Sequence, residues 1–158
     1  MAFYDNLDTV MKHFIKKGGF LTAKAGEQVN TMTISWGFVG FVWGRPHFIC
    51  FVRPQRHTYG IIERADSFTV SVPLGDMENE LEICGTKSGR DTDKSQVVRF
   101  IPAKSVESPV VEGCGRYFEC RINYKDVFDG EALPDFIKTA NYKDDFHHMY
   151  FGEIVEAY

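Results

Sequence analysis

The chain has 158 residues, with 22 acidic side chains against 18 basic ones, a formal net charge of −4 and an isoelectric point near 5.7. That length supports one domain, spanning 1–158, with a core of its own. The charge excludes a general nucleic-acid or anionic-membrane binder, which needs a dense basic surface, and no apolar run reaches the roughly 18 residues that cross a bilayer.

Residues 5–16 place Leu7, Val10, Met11, Phe14 and Ile15 at helical spacing, with Asp5 available as a cap and Gly18-Gly19 as a stop. From Phe20 onward the period changes to two. Strands are expected over 20–24, 28–35, 37–43, 47–53 and 67–73, broken by Gly26, Gly37, Gly44-Arg45-Pro46 and Gly75. Helical insertions are expected near 56–65 and 76–84. Thr58, ahead of Tyr59-Gly60-Ile61-Ile62, reads as the N-cap of the first of these.

Farther along, Tyr117 to Tyr124 alternates, setting Phe118, Cys120, Ile122 and Tyr124 on one face and Glu119, Arg121 and Asn123 on the other. Met149 to Val155 reads as a last strand, with Gly152 a bulge or a point of close backbone approach. Many short strands punctuated by glycine predict a mainly β barrel or sandwich with a few short peripheral helices. No linker, repeat or low-complexity tract marks a second domain.

Four cysteines, Cys50, Cys84, Cys114 and Cys120, show no CxxC spacing, and no charged and apolar leader opens the chain. A reducing, cytoplasmic setting fits them. Cys50 lies in an apolar strand and reads as a small core side chain. The five histidines show no metal-site spacing, and His147 and His148, being adjacent in a strand, point to opposite faces, so only one can line a pocket.

Two segments are unlike the rest. Asn30-Thr31-Met32-Thr33-Ile34-Ser35-Trp36 alternates small hydroxyl residues with apolar ones, and Arg53-Pro54-Gln55-Arg56-His57-Thr58 is a cationic turn. If the apolar stretch from Phe38 to Val52 folds back as a hairpin, the two meet at neighbouring sheet edges. A planar ligand with a phosphate tail fits such a place, because guanidinium forks and hydroxyls hold the tail while apolar groups cover the rings. Trp36 and Trp43 read equally as ring-facing or structural side chains.

A second polar loop runs from Gly85 to Lys94 through Ser88-Gly89-Arg90. It lacks the Gly-Lys-Ser/Thr ending of a nucleotide-triphosphate loop, the glycines near position 40 form no dinucleotide fingerprint, and no GxSxG elbow is present. No side chain stands out as catalytic, so redox chemistry here would come from a bound cofactor.

Asn30-Thr31-Met32-Thr33-Ile34-Ser35-Trp36, Arg53-Pro54-Gln55-Arg56-His57-Thr58, Phe68-Thr69-Val70-Ser71-Val72-Pro73, Cys84-Gly85 with Ser88-Gly89-Arg90-Asp91 and Asp93-Lys94, and Gly152-Glu153 together resemble the flavin reductase-like family, flavoredoxins included. The resemblance runs from about Phe20 to the end. It implies an FMN-binding split β-barrel of Greek-key-like antiparallel form, and a homodimer with flavin near the subunit interface.

Carried over by position, the resemblance implies that Asn30, Thr31, Met32, Thr33 and Ser35 line the flavin ring edge and ribityl chain, with Trp36 close by. Arg53, Pro54, Arg56 and Thr58 would form the phosphate turn, and Ser88, Gly89 and Lys94 would close the site, Lys94 at the flavin's polar edge. The implied activity is hydride transfer from NADH or NADPH to flavin. The alternatives are an FMN electron carrier of the flavoredoxin type without nicotinamide turnover, and a non-catalytic split barrel that binds haem or a partner protein.

Overall fold

A computed structural model describes residues 1–158. Its elements are α1 (Leu7–Lys17), β1 (Gly19–Ala25), β2 (Gln28–Ile34), β3 (Gly37–Val42), β4 (Arg45–Val52), α2 (His57–Ile62), β5 (Ser67–Val72), α3 (Glu78–Thr86), β6 (Phe100–Ile101), β7 (Val110–Val111), β8 (Arg116–Val127), α4 (Asp135–Asn141) and β9 (His148–Ala157), with a 3-10 turn at Lys94–Gln96. The strands expected from alternation are all present, within a few residues at their ends.

Seven strands form one antiparallel sheet in the order β2-β1-β5-β8-β9-β4-β3. β2 and β3 are its two edges, yet only Ser35 and Trp36 join them. Three backbone steps reach no more than about 11 Å. The sheet must therefore curl until its edges approach, and the result is a barrel split between β2 and β3, with Ser35-Trp36 crossing the split. The β3–β4 hairpin turns on two residues of positive φ, Trp43 (53°) and Gly44 (71°). That is the turn whose twist matches flanking strands. A tryptophan is costly there, and its ring packs on His47, Phe151 and Tyr124 at 5.4, 5.6 and 6.0 Å.

The barrel interior holds Leu21, Ala23, Phe48, Cys50, Val52, Phe68, Val70, Phe118, Cys120 and Tyr150, all but sealed from solvent. α1 adds Val10 and Phe14, and the Phe14 ring meets Phe48 edge-on at 5.8 Å. Burying a side chain of this size contributes roughly 1.5–3 kcal/mol. A smaller cluster, Phe20, Leu81, Cys84, Val98, Val111 and Cys114, covers the outside of β1. Both faces of β1 and β5 are thus packed, which explains why neither strand shows solvent-facing alternation. All four cysteines are buried thiols without partners in disulfides.

Several expectations change. Asp5 does not cap α1; its carboxylate accepts from the Ala2 N–H, and Asn6 takes the N-cap position in the left-handed region, while Gly18 ends the helix as expected. Thr58 is not a cap either. Arg56 occupies that position, and Thr58 sits one residue inside α2 with its hydroxyl accepting from Asn30. Glu119, on the face of β8 opposite the core, is fully buried because residues 102–109 fold over it; its carboxylate accepts from the N–H groups of Lys104 and Ser105 and from the Tyr158 hydroxyl, each at 2.7 Å. Gly152 is a close-approach position: a methyl there would lie 2.5 Å from Phe68 Cζ and 2.6 Å from Cys120 Cβ. The register between β8 and β9 shifts beside it, between Ile122 and Tyr124.

Candidate functional site

Two cavities flank β2 near the split. The first, about 200 Å³, lies between β2, the 55–58 turn and the 85–94 loop. Its wall holds the cations Arg56, Lys87, Arg90 and Lys94, with His57, and no carboxylate. The second, also about 200 Å³, lies between the end of β2, the Ser35-Trp36 crossing, Phe51, Arg53 and His147. Met32 and Arg56 line both, so the two are neighbours along one strand.

The polar cavity is built by short-range devices on three segments. Asn30 Nδ2 donates to Thr58 Oγ1 at 2.9 Å, tying β2 to α2. The loop closes on itself where Ser88 Oγ accepts from the Arg90 N–H and the Ser88 carbonyl accepts from those of Asp91 and Thr92. Arg90 Nη1 then donates to the Gln55 carbonyl at 3.0 Å, clipping loop to turn. Gly89 packs so tightly that a methyl group would overlap the Asn30 amide and lie 2.6 Å from His57 Cδ2. Only glycine allows that approach.

Lys94 is almost completely buried. The Asp93 carboxylate caps the 3-10 turn through the Ser95 N–H and hydroxyl, and Lys94 turns inward, where Nζ donates to the carbonyls of Thr31 (2.9 Å) and Cys84 (3.1 Å). An ammonium has three N–H donors, so one is unspent in a residue that lines the cavity. Burial lowers its proton affinity, with Arg56 adding to the effect against Cys84. Arg56 is likewise shifted down, by burial first and Arg53 second, and enters none of the seven ion pairs. A cavity of crowded, carboxylate-free cations attracts a multiply charged anion.

The second cavity, called the slot below, has the aromatic rings of Trp36, Phe51 and His147 in its wall. Trp36 is half exposed, with its ring 5.3 Å from that of His147. Burial, then the charge of Arg53, holds the His147 imidazole down to about 4, so it is neutral at neutral pH. Its Nδ1 shares a 2.7 Å hydrogen bond with the Tyr142 hydroxyl. Arg53 pins the strap that carries these two: Nη1 pairs with Asp145 at 2.7 Å, Nη2 donates to the Asn141 carbonyl at 2.8 Å, and its guanidinium lies 5.1 Å from the Tyr142 ring centre. Gln55 Nε2 also donates to Asp145.

Of the residues expected from sequence, Asn30, Met32, Arg56, Thr58, Ser88, Gly89 and Lys94 converge on the polar cavity. Met32, Thr33, Ser35, Trp36, Arg53 and Arg56 converge on the slot. Three of the expected residues make hydrogen bonds or ion pairs within the protein itself. Arg53 lies on the slot side with its guanidinium committed to Asp145. Lys94 lies on the polar side, away from the slot. Thr31 turns its hydroxyl to Thr22 and the Leu21 carbonyl, and contributes only its own carbonyl, to Lys94. Pro54 lines neither cavity. His57, Lys87 and Phe51 also line the cavities, and so does His147 on the Asn141–His147 strap, which no local pattern links to the arginine turn; only the parity of the His147-His148 pair points to a histidine there.

The family model described as "Flavin reductase like domain" matches residues 11–158. Among solved structures, an FMN-binding protein from Thermus thermophilus is similar at a TM-score of 0.70 and 21% identity, over 89% of this chain and 68% of that one. A flavoredoxin from Methanosarcina acetivorans has a TM-score of 0.70 and 22% identity, over 90% and 67% of the two chains. An NADH:FAD oxidoreductase of Streptomyces globisporus C-1027 has a TM-score of 0.68 and 17% identity, over 90% and 75%. At these identities the likeness is one of fold.

Proposed function

Since the chain belongs to the flavin reductase-like family, we propose that it is an FMN-binding redox protein and that it passes hydride from NADH or NADPH to the flavin. One observation carries this reading: a cation-lined, carboxylate-free cavity adjoins an aromatic slot on one strand, and Arg56 belongs to both. A phosphate tail suits the first and a planar ring the second.

The residues present fit the cofactor. Arg56, Arg90 and Lys94 hold the phosphate, with Ser88 and Thr58 at its rim and Gly89 giving the loop room to close. Met32, Thr33 and Ser35 flank the ring system, with Trp36 and the neutral His147 at the slot mouth. Bound flavin supplies hydride and electron transfer; the chain supplies binding, orientation and exclusion of water. Arg53 acts through the strap, keeping Tyr142 and His147 in place.

We assign a homodimer to the same reading. Phe38 and Phe41 are exposed on the two faces of the edge strand β3, and Trp43 is exposed at the turn that follows. An apolar edge strand of this length invites pairing with another chain. The free thiols suit a reducing compartment, hence the cytoplasm, and no helix is long and apolar enough to cross a membrane.

The test has two stages. The absorption spectrum of the purified protein, before and after adding FMN and gel filtration, should show bound flavin; a protein that neither carries nor takes up FMN refutes the reading. Steady-state oxidation of NADH and NADPH with FMN present then decides the activity, and flavin binding without turnover would make the protein an electron carrier.

A further inference from the structure

His57 is a titratable side chain of the polar cavity with no role in the reading above. His57 lies on the first turn of α2, with its ring edge against the Gly89 backbone. The charged groups that share the cavity wall with it are all cations: Arg56 beside it in the chain, Lys87 and Arg90 on the loop, and Lys94 on the 3-10 turn. β2 presents only the neutral Asn30. Of the loop's two carboxylates, Asp93 accepts from the Ser95 N–H and hydroxyl, and neither it nor Asp91 lines the cavity.

We infer that His57 is a proton-dependent member of the anion site, neutral while the cavity holds no anion and an imidazolium once a phosphate dianion is seated, so that anion and proton bind together. The inference rests on the flavin reading for its natural ligand, a phosphate monoester, and on geometry for the rest. With no anion present, a fifth positive charge would add to four that already repel one another, and burial acts in the same direction; both lower the proton affinity of His57, burial first, then Arg90 and Lys94. A dianion placed among these groups reverses the local field, because an opposite charge within about 4–6 Å favours the charged form. The imidazolium then adds an N–H donor to the anion.

The sign follows from linkage. The site's proton affinity is higher in the bound state, so anion binding takes up protons and tightens as pH falls through the bound-state value. The phosphate's own second ionisation, near pH 6, acts the opposite way, so proton exchange must be measured and compared with a variant. Calorimetric titration of FMN at pH 7, in two buffers of different ionisation enthalpy, should show net proton uptake by the wild type and none by His57→Gln. Riboflavin, which lacks the phosphate, should bind without uptake.

In parallel, the His57 imidazole resonance, identified by its loss in His57→Gln and in His57→Asn, should titrate higher by more than about one pH unit with FMN bound. Sulfate, a dianion throughout this range, should shift the same resonance upward even if FMN fails to bind, which separates this inference from the flavin reading. FMN binding with unchanged proton exchange in His57→Gln, or a His57 titration that neither FMN nor sulfate moves, overturns it.

Discussion

Arg56→Ala isolates the electrostatic part of the site. The guanidinium lines both cavities, has no carboxylate partner, and is shifted down by burial and by Arg53. A hydrogen bond to a charged group contributes about 1.5–3 kcal/mol. At about 1.4 kcal/mol per decade, its loss weakens FMN binding roughly 10- to 150-fold. Removing one of several crowded cations relieves repulsion in the free protein, so the melting temperature should hold or rise. The assay is quenching of flavin fluorescence on titration, run beside riboflavin, whose affinity should change far less because it has no phosphate. An FMN affinity within about twofold of wild type, or an equal loss for riboflavin, would refute the assignment of Arg56 to the tail.

Gly89→Ala would force a methyl onto the Asn30 amide and His57; overpacking of this kind costs about 1–3 kcal/mol, so FMN affinity should fall about tenfold while the barrel stays folded, as circular dichroism would report. Asp145→Asn should free the strap: proteolysis within 141–147 becomes faster, Trp36 fluorescence changes, and, because His147 lines the slot, FMN and riboflavin affinities should fall together, unlike in Arg56→Ala. His147, held down to about 4 against an ordinary 6.5, is more easily protonated in the unfolded chain. Stability should therefore decline as pH falls from about 6.5 to about 4, by up to about 3 kcal/mol. Urea midpoints at pH 7 and 4.5 should differ less in His147→Gln than in wild type, and equal differences would count against a buried neutral imidazole.

Much of the barrel was legible because its signals are local. Alternation in β2 and β8, the apolar or β-branched runs of β4 and β5, the Gly18 stop and the close approach at Gly152 each follow from a few consecutive residues and from what a Cβ permits. The two polar segments, 30–36 and 53–58, were also legible as a pair, since the hairpin between them is itself a sequence feature. β6, β7 and α4 were not, being two-residue bridges or a helix with no buried residue to give it a period.

By itself the sequence determined the strand faces, the glycine positions and the set of residues available for a flavin-like site. Only the tertiary structure decided how those residues divide. The Arg53 guanidinium pairs with Asp145, 92 positions away, beside the second cavity, and the Lys94 ammonium donates to the Thr31 carbonyl, 63 positions away, beside the first. Glu119 reads as a solvent-facing strand residue until the 102–109 segment covers it. Pairing of charges depends on which group arrives within about 3 Å once the sheet has curled, and no periodicity along the chain carries that distance.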